Sequence, residues 1–261
     1  MKTTLSSIMI LIILSLQVSA DDIKLSKINN PGSADVSKVK IGMQQSIHFG
    51  FANTTGNTDT LNLNGKYSLL YGITGYQGQQ LNIILDASAF VTETDSVRDN
   101  EEYVVNVHLE QFIFKTWLVY TEINWLRNEF RNFDNKLMLG AGIGNEIFND
   151  GKQILKLKVG VAHNIEQYSN DQEDRHFTSF TQYMEYYNKF NEVSSLYIKF
   201  GASENISDFN DYDLIATAGF KFAIAKDLSL SIEEEIRYDS IPPVGFKDTD
   251  TKSIIRIGYN F

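Results

Sequence analysis

Residues 252–261 read KSIIRIGYNF, which puts Ser253, Ile255, Ile257, Tyr259 and Phe261 on one face of an extended strand and Lys252, Arg256, Gly258 and Asn260 on the other. Alternation of this kind has two readings. In a soluble sandwich the apolar face points to a core. In a barrel that spans a bilayer it points to lipid, and the polar face points to a lumen. A strand that stops on an aromatic residue suits the second reading, with Ile257, Tyr259 and Phe261 as the signature of the strand that closes and inserts the barrel. An ordinary C-terminal strand would explain this segment alone, so the decision rests on whether the pattern repeats.

It repeats. Ile41, Met43, Gln45, Ile47, Phe49 and Phe51 alternate with Gln44, Ser46, His48 and Gly50, and Leu61, Leu63, Gly65, Tyr67, Leu69 and Tyr71 alternate with Asn62, Asn64, Lys66 and Ser68. Further segments near 80–92, 101–114, 116–129, 134–148, 152–166, 175–190, 193–205, 211–225, 227–239 and 250–261 bring the total to twelve. They are about twice the ~5–6 residues of a globular strand and match the ~9–11 tilted residues that cross a bilayer. An even number returns the C-terminus to the side of the N-terminus. The expected fold is therefore all-β, a single transmembrane antiparallel barrel of about twelve strands.

Connections give a second test. Tight turns at Lys115, Asn149-Asp150-Gly151, Asn191-Glu192 and Ala225-Lys226 interleave with loops around 92–102, 127–135, 166–175, 203–213 and 239–251. The compact first loop at 53–60 and the Gly-rich first turn at 72–79 depart from this rule. The six loops together carry a net charge of −14, against −10 for the whole chain of 261 residues, so acidity is concentrated in them. Such charge solvates loops, and its carboxylates could also share divalent cations with anionic lipid headgroups.

Met1 to Ala20 reads as a secretory signal: Lys2 gives a basic start, Ile8 to Leu16 is apolar, and Val18-Ser19-Ala20 offers a small-residue cleavage site. The apolar run falls short of the ~20 residues of a spanning helix. Residues 21–40 are polar and aperiodic and read as a periplasmic lead-in, leaving 41–261 for the barrel. There is no cysteine, which excludes disulfides, thiol chemistry and a lipidated anchor. The acidic balance argues against a nucleic-acid partner. The partners expected are outer-membrane lipid, lipopolysaccharide and the barrel-assembly machinery of a bacterial envelope, with no cofactor and no metal.

Some residues resist the simple pattern. The phase that turns Leu228, Leu230, Ile232, Ile236 and Tyr238 outward also turns Glu234 outward, so either a bulge resets the register or the lipid face carries a partnered acid. Segment 175–190 is weakly phased. Trp117 and Trp125 share one face and stand roughly 20 Å apart along the membrane normal, as two interfacial belts require. Gly140, Gly142 and Gly144 line the face opposite Leu137, Leu139, Ala141 and Ile143, which predicts a groove in the wall or strong curvature.

The candidate lumen-lining residues are Lys66, Asp86, Glu110, Glu122, Lys156, Lys158, Lys199, Lys221, Glu233, Glu235, Arg237 and Arg256, joined by Asn62, Asn64 and His108. Both signs of charge are present, so these side chains could line a small-solute pore and set its selectivity, or pair across the lumen and plug it. No catalytic residue stands in a hydrolase motif. Of His48, His108, His163 and His176, His163 projects outward with Val159 and Val161 near serines of the following loop, and a lipid-modifying enzyme using it or another histidine is the alternative to a non-enzymatic barrel. A soluble periplasmic binding barrel is a third reading, which the strand lengths disfavour.

Three stretches carry a family resemblance: Gly56-Asn57-Thr58-Asp59-Thr60, Leu139-Gly140-Ala141-Gly142-Ile143-Gly144, and Tyr238-Asp239-Ser240 with Pro242-Pro243, Gly245 and Lys247 to Thr251. From about residue 41 onward the chain resembles the salt-induced outer-membrane protein family, domain of unknown function 481. The resemblance implies an outer-membrane barrel and a link to salt or osmotic response. It supplies no catalytic residues.

Overall fold

A computed structural model describes residues 41–54 and 60–261. The expected signal (1–20), the lead-in (21–40) and most of the Gly56–Thr60 motif lie outside the described residues. Twelve strands follow in order: β1 (Gly42–Thr54), β2 (Thr60–Thr74), β3 (Gln80–Thr94), β4 (Val97–Phe112), β5 (Trp117–Asn128), β6 (Phe133–Asn149), β7 (Gln153–Tyr168), β8 (Arg175–Lys189), β9 (Ser194–Asn205), β10 (Tyr212–Ala223), β11 (Leu228–Asp239) and β12 (Thr249–Asn260). Each pairs antiparallel with its neighbours in sequence, and β12 returns to β1 to close the ring.

Closure leaves the interior of the sheet without an edge, which is what a strand protein needs where no water can satisfy its backbone. The seam is the short part of the ladder, running from Ser46↔Asn260 to Phe49↔Ile257. Phe261 extends it by one exchange of backbone hydrogen bonds with Gln45, at 3.2 and 3.0 Å. Above the seam Arg256 reaches past β1 to Asn64 Oδ1 at 2.8 Å, and Gly50 lies under that passage; a Cβ there would strike Asn64 and the Ile255 carbonyl.

Side-chain polarity is inside out. Along β7 the inward residues Lys156, Lys158 and Glu166 are 2, 4 and 3 % exposed, while Leu157, Val159 and Val161 between them are 42, 42 and 55 % exposed. The same holds at the end of the chain, where Ile255, Ile257 and Tyr259 face out and Arg256 faces in. A soluble protein would invert both assignments, so this outer surface is that of a membrane-spanning barrel. Tyr259 and Phe261 stack at 6.0 Å, and the Trp125 indole donates to Asn135 Oδ1 at 3.1 Å, as an amphipathic ring at an interface does. Among the described residues no helix is long and apolar enough to cross a membrane.

The structure corrects several expectations. The loop expected at 92–102 is a two-residue hairpin: β3 runs to Thr94, β4 starts at Val97, and Asp95 and Ser96 take φ of 50° and 63°. Consecutive left-handed residues match the right-handed twist of the flanking strands. The charges that made this stretch read as a loop are paired along the strands, Arg98 with Glu101 at 2.5 Å and with Glu93 at 3.6 Å. The loop at 127–135 shrinks to one 3-10 turn, Glu129–Arg131, capped by the Asn128 side chain. Glu234 does face outward without any bulge in β11; it sits opposite Ser253, whose hydroxyl donates to it at 2.5 Å. Ile254, which the alternating reading left unassigned, points inward and is buried.

Ile143, halfway along β6 on the outer face, tests the polarity directly. Ile143→Arg is expected to cost about 2–4 kcal/mol in urea unfolding from phospholipid vesicles, the penalty for a cation at mid-bilayer depth. A loss below about 0.5 kcal/mol, typical of a solvated surface, would contradict the lipid-facing assignment.

Candidate functional site

The lumen has two halves. On the side of the tight turns, inward residues fill it: Leu70 of β2, Phe112 of β4, and Leu118 and Tyr120 of β5 pack together with Ile84 and Tyr183 against them. Ile154, Tyr187 and Tyr197 form a second cluster. The glycine stripe of β6 makes room for this filling. A Cβ at Gly140, Gly142 or Gly144 would collide with Glu122, Tyr120, or Leu118 and Lys158 respectively. The groove expected in the wall therefore exists, and side chains of β5 and β7 occupy it.

Charge reinforces the filling. Glu110 of β4 accepts from Lys156 at 2.7 Å and from Lys158 at 3.1 Å, and Lys158 also meets Glu185 of β8 at 2.6 Å. The Lys158 ammonium lies over the rings of Tyr120 and Tyr183, 5.4 and 5.5 Å from their centroids. Tyr183 in turn donates to Glu122 at 2.9 Å. These contacts run across the lumen from β4 and β5 to β7 and β8, so the floor is a cross-braced layer of the wall's own side chains.

Beyond the floor, toward the loops, a cavity of about 410 Å³ remains. Eight acids and eight bases line it, so its net formal charge is zero and any selectivity must come from their arrangement. Near the mouth Glu102 pairs with Lys252 at 2.5 Å and Arg237 at 3.2 Å, Arg237 with Glu235 at 2.8 Å, and Lys136 with Glu166 at 2.8 Å and Asp213 at 2.9 Å. Deeper, Arg256 meets Glu233 at 3.0 Å, and Tyr197 donates to the same carboxylate.

Of the residues singled out in the sequence, Lys66, Asp86, Glu122, Lys158, Lys199, Glu233, Glu235, Arg237 and Arg256 lie in the cavity wall. Glu110 and Lys156 belong to the floor, and Lys221 is buried near the seam with Asn260 Oδ1 at 3.3 Å. His108 shares the wall, with Nδ1 3.6 Å from Glu122. Reading the sequence missed Glu102, Lys136, Glu166 and Glu185. Glu102 stood in the stretch taken for a loop, and Glu185 in the weakly phased segment, where odd-numbered residues turn out to face inward. Lys136 could have been found, since it shares the parity of Gly140 and Gly142. Among the described residues no group of three or more His, Asp and Glu is placed to hold a metal ion.

A closed ring of twelve next-neighbour strands, apolar outside and charged within, defines the class of outer-membrane β-barrels. The fold is similar to that of an outer membrane channel from Pseudomonas putida F1, with a TM-score of 0.54 at 9 % identity over 86 % of this chain and 97 % of the channel. It is more distantly similar to the translocator domain of the autotransporter NalP from Neisseria meningitidis, with a TM-score of 0.43 at 9 % identity over 87 % and 90 % of the two chains. No curated protein gives a match. The chain belongs to the family described as "Protein of unknown function, DUF481", whose model matches residues 47–261.

The brace across the floor carries a stability prediction. Glu110→Ala leaves two buried ammonium groups without their shared carboxylate and is expected to cost about 3–5 kcal/mol in urea unfolding. Adding Lys156→Met to it should recover part of that loss, because it removes one stranded charge and keeps most of the volume. Unfolding of Glu110→Ala within about 0.5 kcal/mol of the wild type would show that the pairing is not as drawn.

Proposed function

We propose that this chain is a non-enzymatic protein of the bacterial outer membrane whose lumen is a narrow path for small solutes, entered from the loop side and held shut at rest by the floor. Export would follow cleavage after Ala20, with residues 21–40 and both termini in the periplasm and the acidic loops outside. Outer-membrane lipid and lipopolysaccharide would surround the wall, and the barrel-assembly machinery would read the strand bearing Ile257, Tyr259 and Phe261. A role in salt or osmotic response is the part that rests on family resemblance.

The observation that carries the reading is the charged cavity of about 410 Å³ standing directly over an apolar layer. A purely structural barrel gains nothing from keeping charged groups around open volume, since each must be stabilised against desolvation. The lipid-modifying alternative would draw on His163. That residue stands outward between Leu139 and Thr178 with the His176 ring 6.3 Å away, surroundings that suit an interfacial polar side chain.

Planar-bilayer recording of the refolded full-length protein tests the path. The wild type is expected to give no steady conductance steps, and a variant carrying Leu118→Ala and Tyr120→Ala to give them, with circular dichroism confirming that both retain the barrel. A silent double variant with an intact fold would end the reading of the lumen as a path. Steps of equal size from wild type and variant would remove the floor as its barrier.

A further inference from the structure

The cavity charges are not all alike. Each of its eight acids accepts a hydrogen bond or meets a base, and six of its eight bases are likewise engaged. The remaining two, Lys66 of β2 and Lys199 of β9, make no hydrogen bond and no ion pair within 4.0 Å with any described residue, and both line the cavity. Four strands, β1, β12, β11 and β10, separate β2 from β9 in the ring, so the two lysines come from nearly opposite walls. Both face the same cavity near the middle of their strands: Lys66 stands diagonal to Asp86 on the β2–β3 ladder, and Lys199 lies opposite Glu185 on the β8–β9 ladder.

Asp86 does not absorb them. Its Oδ1 is taken by the Ser68 hydroxyl at 2.5 Å, and one carboxylate balances only one of two ammonium charges. Glu185 is held by Lys158 and Glu233 by Arg256. The N–H donors of two flexible side chains are thus left for whatever fills the space. A small anion bearing several oxygens would bring the acceptors that these groups lack, and the partly desolvated wall strengthens each contact.

We infer that Lys66 and Lys199 form an anion clamp across the middle of the lumen, selective for a small oxyanion such as a dicarboxylate or a phosphate. A bridging ligand with several oxygens would accept from both walls at once. A cation of similar size would meet two ammonium groups there and only carboxylates that are already engaged. The clamp deepens the reading of the lumen as a solute path, and equilibrium binding separates its fate from that of conductance.

Equilibrium dialysis of the refolded full-length protein at constant ionic strength, with labelled succinate, inorganic phosphate and choline as probes, tests it. Saturable binding of succinate or phosphate is expected, with none of choline. The double variant Lys66→Gln/Lys199→Gln should bind about ten-fold or more weakly, the loss expected for charge-assisted contacts, and Lys66→Arg/Lys199→Arg should retain binding. Lys189→Gln, at the turn-side end of β8, paired with Glu192 and outside the cavity wall, should leave binding unchanged. Affinity of the double glutamine variant equal to wild type, or no saturable anion binding by the wild type, would overturn the clamp even if the floor variant conducts. Saturable binding that the lysines control would uphold it even if no variant conducts.

Discussion

In a bilayer every backbone N–H and C=O must find its partner inside the protein, and here that requirement is completed where β12 meets β1. The seam is short, four register pairs followed by the exchange between Phe261 and Gln45. Eleven ladders hold the remaining strands, yet without this twelfth the sheet would have two open edges in hydrocarbon. The closing residues explain their own composition. Ile255, Ile257 and Tyr259 satisfy lipid on one side, while Arg256 ties the strand across β1 to Asn64 on the other.

Closure dictates what the interior can be. With apolar residues committed to the outside, the inward face takes the charged ones, and a lumen of twelve strands is too wide to be dry and too narrow to hydrate them all. Pairing resolves this in two ways along the axis. On the turn side glycines of β6 admit Tyr120 and Glu122, and the Glu110, Lys156, Lys158 and Glu185 network braces an apolar layer. On the loop side the pairs stay at the wall and leave a cavity. Removing one partner from such a network costs more than the pair contributes, because the survivor remains buried and charged.

Much of this was legible beforehand, for a local reason. A strand that alternates over ten or more residues reports its two environments directly, and one residue of slip would send every side chain to the wrong face. Hence Ile41 to Phe51 and Leu61 to Tyr71 located β1 and β2, and the inward charged residues were found by parity. Failures came where charge imitates solvation. Residues 92–102 are acidic enough to read as a loop, but their carboxylates pair with Arg98 or, through Glu102, with Arg237 and Lys252 on strands far away in sequence. Segment 175–190 hid Glu185 because polar residues such as Gln182 and Thr178 also occupy its outer face.

By itself the sequence determined the fold class, the number of strands and which face of each strand meets lipid, since period and length are properties of single segments. Tertiary structure alone decided that the lumen is filled at one end and open at the other. It also decided which acid neutralises which base and left Lys66 and Lys199 in the cavity wall without a hydrogen bond or ion pair. The reason is physical: hydrophobic alternation is written along one strand, whereas the depth of a side chain in the lumen and the charge opposite it depend on the stagger of all twelve.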